Sequence, residues 1–175
     1  MYFEIQGPYE IPRVMGLIDN SARSKKMFWA TVSKDVPNLP EACGCYIFTV
    51  KATRGALPWY VGRTTKRTFK HEALGSHQVN HYNQALGEKV GVKPQLFFIA
   101  KQTPSGRPAK PSQNSHKDIE FLETYLIGVA LKRNPGLRNA KSIKFLKNLV
   151  APGIINSPRR PPTTPERAIK EALGF

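Results

Sequence analysis

Apolar and polar residues recur with two different periods along this chain, and the changes of period mark its elements. Gly44-Cys45-Tyr46-Ile47-Phe48 and Trp59-Tyr60-Val61-Gly62-Arg63 are short β-branched and aromatic runs with Gly55 and Pro58 between them. That pattern reads as a β-hairpin, and it would bring Tyr46 close to Tyr60. Gln95-Leu96-Phe97-Phe98-Ile99-Ala100 is apolar on both faces and predicts a third strand buried between layers. Helical spacing marks Ser21 to Ser33, through Met27, Phe28, Ala30, Thr31 and Val32, although the short aromatic run Phe28 to Val32 also suits a strand. Thr64 or Thr65 is placed to cap a helix running through Phe69 and Ala73 to about Leu74, where Gly75 interrupts it. Val79, Tyr82 and Leu86 then continue as a second helical piece that stops at Gly87. Ser115 followed by Asp118 resembles a capping box. It opens a helix through Ile119-Glu120-Phe121-Leu122-Glu123-Thr124-Tyr125-Leu126-Ile127 to about Arg133. Lys132 and Arg133 suit its negative end, and Pro135-Gly136 stops it.

The flanks are less regular. Tyr2 to Ile5 and Tyr9 to Ile11 read as short extended pieces at the margin of the core, broken by Gly7-Pro8 and Pro12. Lys101 to Ser115, with Pro104, Gly106, Pro108, Pro111, Arg107 and Lys110, reads as an exposed basic loop. A basic helix is expected from Ala140 to Val150, then a proline-rich arm and a short helix capped by Thr164 with Pro165 in its first turn. Strands and helices together make an α/β chain of the α+β kind. A length of 175 residues suits one domain with tails, divided as an N-terminal extension 1–41, a central domain 42–150 and a C-terminal arm 151–175.

Charge narrows the partner. Lys and Arg number 27 against 12 Asp and Glu, a formal net charge of +15. That excess is repulsive within a compact fold and is most simply explained by a polyanionic partner. Nucleic acid fits better than lipid, because no apolar run approaches a membrane span and the basic residues are spread along the chain. Cys43 and Cys45 are the only two cysteines. On one strand they face the same way but lie too far apart for an ordinary disulfide, so reduced thiols in a cytoplasmic setting are expected, with association with the nucleoid as a refinement. Met1-Tyr2-Phe3-Glu4 carries neither a basic leader nor a long apolar segment, so no secretory signal is expected.

Glu123 is the first candidate for chemistry, since Ile119, Leu126 and Ile127 lie three and four residues away on a helix. A carboxylate at the edge of an apolar stripe must be paired, hydrogen-bonded or metal-bound, and a salt bridge to one of the many cations is the plain alternative to a metal. Tyr46 and Tyr60 read first as packed strand residues. A phenol can serve chemistry when a nearby cation lowers its pKa from about 10, and Arg63, Lys66, Arg67 and Lys70 follow directly. His71, His77 and His81 invite a metal or general-base role, but their Asn- and Gln-rich surroundings favour simple exposure. No phosphate-cradling loop, Ser-His-Asp order or dinucleotide fingerprint is present.

In this order the pieces resemble the GIY-YIG nuclease family. Gly44-Cys45-Tyr46 is similar to its first motif, Tyr60-Val61-Gly62 to its second, the Glu123 helix to its acidic segment, and Asn139 to the asparagine that closes the module. The resemblance spans about residues 42 to 140. It implies a small three-stranded mixed or antiparallel sheet flanked by helices, and a single divalent cation, Mg or Mn, held by Glu123. It further implies that Tyr46 activates or positions the attacking water and that Tyr60 contacts the scissile phosphate, with Arg63 where several members place a basic residue. The family's usual helix arginine falls on Lys70, with Arg67 and His77 as substitutes from neighbouring turns; lysine keeps the charge without the two-pronged geometry. The expected activity is metal-dependent hydrolysis of DNA, with Lys66, Arg67, Lys101, Arg107, Lys110 and Asn139 holding nucleic acid. The rivals are a GIY-YIG-like module that only binds DNA or RNA, and an RNA-directed or ribosome-associated protein. DNA is expected ahead of RNA, and a homodimer or a partner protein stays open.

Overall fold

The computed structural model describes residues 1–175 except 88, 90, 115, 140–142, 144–145 and 175. The chain divides into two compact units, 1–139 and 140–175. In the first, β1 (Phe3–Glu10), the small hairpin β2 (Arg13–Val14) and β3 (Leu17–Ile18), and α1 (Ala22–Asp35) lead to a short 3-10 turn, Leu39–Glu41. The hairpin β4 (Gly44–Ala52) and β5 (Gly55–Thr64) follows, then α2 (Phe69–Glu72), α3 (Ser76–Leu86), β6 (Lys93–Lys101) and α4 (Lys117–Arg133).

The main sheet has the order β1-β6-β4-β5, antiparallel throughout. The α+β class expected from the sequence is the one observed, but the sheet has four strands where three were expected. The two N-terminal pieces are one strand: β1 pairs with β6 from Phe3↔Lys101 to Glu10↔Gln95, and its register shifts between Gln6 and Tyr9, across Gly7-Pro8. At the opposite edge the β4–β5 register shifts between Phe48 and Thr49, where β5 carries Pro58.

Side chains alternate across β4 with period two, and both faces are covered. Tyr46, Phe48 and Val50 join Phe28, Trp29, Phe69, Tyr82 and Phe98 in the larger core. Cys45 faces the other way, into a smaller core with Cys43, Ile99 and Ile119, onto which Ile47, Leu122 and Leu126 of β4 and α4 pack. Both cysteines are free and buried. Phe48 and Tyr82 stack at 4.0 Å between centroids, fixing α3 against the sheet.

The helix boundaries bear out the sequence reading over 22–35 and correct it at the start of α2. Residues 22–35 form a helix, not a strand, because the Ser21 hydroxyl accepts from the Ser24 N–H and caps it. Neither Thr64 nor Thr65 caps α2: β5 runs on through Thr64, whose hydroxyl donates to the Arg67 carbonyl to close a turn, and Thr68 caps the single turn Phe69–Glu72. At α4, Ser115 lies outside the described residues, and Asp118 is turned to the Lys101 ammonium at 2.8 Å.

The second unit is held by local contacts. The Asn156 amide donates to the Leu146 and Leu149 carbonyls at 2.7 and 2.8 Å. Helix α5 (Thr164–Ala172) starts one residue earlier than expected, from Thr163, which forms a reciprocal capping box with Glu166. Of the helix expected over 140–150, residues 143 and 146–148 are helical, and 140–142 and 144–145 lie outside the described residues.

Candidate functional site

Antiparallel register places Tyr46 opposite Gly62 and Phe48 opposite Tyr60. The tyrosines therefore lie diagonally on one face, with ring centroids 6.3 Å apart. Tyr60 is stacked on His81 of α3 at 5.3 Å. A polar chain runs through the site: Gln78 donates to Glu72 at 2.9 Å and shares a hydrogen bond with Tyr46, which in turn bonds Tyr60. Arg67 sits 3.8 Å from Glu72 at the outer end.

This environment moves the phenols the opposite way from the sequence expectation. Burial pushes Tyr46 well above the usual tyrosine range, with Tyr82, Tyr60 and Glu72 adding to it and the Gln78 bond opposing. Tyr60 is also raised, by burial first and then by Glu123 and Glu72, against the Tyr46 bond. The neighbouring cations do not offset the loss of water, so both phenols keep their protons at neutral pH.

Glu123 projects from α4 toward β5, where Arg63 Nη1 lies 3.3 Å from its carboxylate and 3.7 Å from that of Glu120. Partial burial raises Glu123 above the ordinary carboxylate range; Arg63 works against that and Glu120 with it. Of the alternatives for a carboxylate in this position, the ion pair is the one formed. Among the described residues no group of three His, Cys, Asp or Glu is placed to hold a metal. The carboxylate that the resemblance offers to magnesium or manganese is paired with Arg63 through Oε2.

The other expected residues divide into those near this site and those employed elsewhere. His77 is exposed and its Nε2 lies 3.3 Å from that of His81; burial first, then His77 and Arg138, lower His81. Lys70 is turned to Glu41 at 3.6 Å, beside a cavity of about 560 Å³ lined by Lys25, Lys26 and Trp29 that none of Tyr46, Tyr60 and Glu123 reaches. Asn139 is a correction: it is buried, and its amide accepts from the Val61 N–H at 2.9 Å and donates to the Val61 carbonyl, so it staples β5 instead of meeting nucleic acid. Lys101 is paired with Asp118. Burial alone would raise Asp118, but the Lys101 ammonium and the Ile119 N–H hold it below the usual carboxylate range.

Lys66, Arg107 and Lys110 are exposed and form no ion pair among the described residues. The Ser112 N–H donates to the Thr65 carbonyl at 3.2 Å, tying the turn that carries Lys66 to the loop that carries Lys110. The sequence reading missed Glu72, Gln78 and Glu120. Gln78 had a signal, since it falls in phase with Tyr82 and Ala85 on the buried stripe of α3.

No protein-family profile matches the chain, and no solved structure matches it. A curated relative is the mitochondrial ribosome-releasing factor 2 of Kluyveromyces lactis, 26% identical over 153 residues, which covers 72% of this chain and 19% of the relative. The chain thus spans about a fifth of the length of the relative it matches. This similarity overturns the expected DNA endonuclease: the matching protein is named for ribosome release, not for cutting DNA. No described helix is long and apolar enough to cross a membrane.

Proposed function

We propose that this chain is an RNA-directed protein that works in association with the ribosome, holding RNA by its phosphate backbone. One observation carries the reading: the Ser112–Thr65 backbone bond sets two basic loops side by side, with Lys66, Arg107 and Lys110 free of acidic partners among the described residues. On a chain of net charge +15, unpaired cations on adjoining loops suit phosphates of a folded polyanion. The ribosome-releasing relative supports RNA over DNA as the partner. Buried free thiols at Cys43 and Cys45 suit a reducing compartment, and the cytoplasm is the one proposed. The scaffold is proposed as kin to the GIY-YIG fold on the order of its four sequence elements, with no cleavage attached.

Co-sedimentation with ribosomes over a salt series tests this. Binding should weaken steeply with salt, and Lys66→Glu with Lys110→Glu should weaken it further and flatten its salt dependence. Retention that ignores both salt and the charge reversals would sink the proposal.

A further inference from the structure

Helix α4 is apolar on two sides, and only one of them is used by the fold. Ile119, Ile127 and Ala130 are buried, and Leu122 and Leu126 pack on the smaller core. Phe121, Tyr125 and Val129 face outward, 74%, 61% and 51% exposed. Residues four apart on a helix lie about 6 Å apart along the axis, so these three form a continuous ridge. The same spacing continues to Lys117 at one end and Arg133 at the other, both exposed and without an ion pair among the described residues. Asp118, Glu120 and Glu123, the carboxylates of this helix, are engaged by Lys101 and Arg63.

An exposed aromatic pair on a soluble surface marks an interaction site, and the charges select its occupant. A second copy fits badly: antiparallel packing of two such ridges sets Lys117 against Arg133, and parallel packing sets each cation against itself. Flat apolar rings closed at both ends by cations suit a partner that joins π-faces to negative charge. We propose that the Phe121–Tyr125–Val129 ridge is a stacking platform for unpaired RNA bases, with Lys117 and Arg133 holding the flanking phosphates. This rests on the RNA reading above and adds which part of an RNA is held: single-stranded segments, not helical ones.

Fluorescence anisotropy with a labelled oligouridine strand and an RNA hairpin of equal charge tests it. The paired substitution Phe121→Ala with Tyr125→Ala should weaken single-strand binding roughly tenfold to a hundredfold, leaving hairpin binding and the salt slope unchanged. Phe121→Trp with Tyr125→Trp should retain the affinity, which separates stacking from a fold defect. Lys66→Glu with Lys110→Glu should weaken both RNAs. Wild-type strength in the alanine variant would overturn the stacking proposal alone. No binding of either RNA by the wild-type chain would overturn the RNA reading and this one with it. Sedimentation showing a dimer that the alanine variant dissociates would assign the ridge to a second copy and overturn it as well.

Discussion

The ring of Tyr46 lies across the backbone of Gly62, so close that a Cβ built on Gly62 would stand 2.2 Å from the tyrosine Cζ and 2.6 Å from Cε2. Glycine is required there for space, since the ring occupies the volume any side chain would take. It also explains how Tyr46 stays only 1% exposed while its hydroxyl reaches Tyr60 and Gln78.

Gly62→Ala should therefore destabilise the fold by about 1–3 kcal/mol, the usual cost of overpacking a tight core. Tyr46→Phe should give no relief, because ring carbons as well as the hydroxyl are in the way. Urea midpoints of the single and double variants measure this, and an unchanged midpoint for Gly62→Ala would contradict the packing.

Asn139→Ala removes both side-chain partners of the Val61 backbone. Leaving buried backbone groups unpaired costs about 1–3 kcal/mol each. The variant should unfold at lower urea, and the Val61 amide should exchange faster. Nucleic-acid affinity under conditions where it stays folded should not change.

Four of the six tyrosines should resist ionisation. Tyr46, Tyr60 and Tyr82 are raised chiefly by burial, and Tyr9 by burial and by its bond to Asp35, to which its hydroxyl donates at 2.6 Å. In an ultraviolet titration these four should ionise above the usual tyrosine midpoint of about 10. The folded chain then keeps protons that the unfolded chain gives up above about pH 10, so stability must fall as pH rises through the alkaline range. Early ionisation of all six without unfolding would refute the burial of the pair.

In the second unit, hydrogen bonding by Arg160 and then by the Thr163 N–H lowers Glu166 to about 2. A lowered carboxylate stabilises above its unfolded value and loses that contribution as pH falls toward the folded one. NMR of the side-chain carboxyl should find its midpoint near 2 in the wild type, moving up toward 4.5 in Arg160→Ala. A midpoint already at the ordinary value would show the Arg160 pairing absent in solution.

β6 was legible as a run apolar on both faces, and the hairpin and helices α1, α3 and α4 were legible by their apolar spacing. The fourth strand was not, because Gly7-Pro8 punctuates β1 like a turn, whereas the chain bulges there and resumes pairing at Tyr9↔Leu96. At the site, the meeting of Tyr46 with Tyr60 followed from the hairpin, and the half-buried, paired state of Glu123 followed from its helical neighbours. The cost of burying the phenols did not, since the sequence shows Arg63 and Lys66 near in the chain but not the water excluded around the rings. Nor did the capture of Lys101, whose partner Asp118 lies across the smaller core and 17 positions on by residue number, with no periodic signal joining them.

Both outer strands of the sheet carry a proline beside a break in register, Pro8 in β1 and Pro58 in β5. Each proline removes a backbone donor, and each break bends the rim away from the straight ladder that another strand would need. The sheet is thereby terminated on both sides, so a crowded, strongly charged scaffold of this kind does not zip onto its neighbours by β-strand addition.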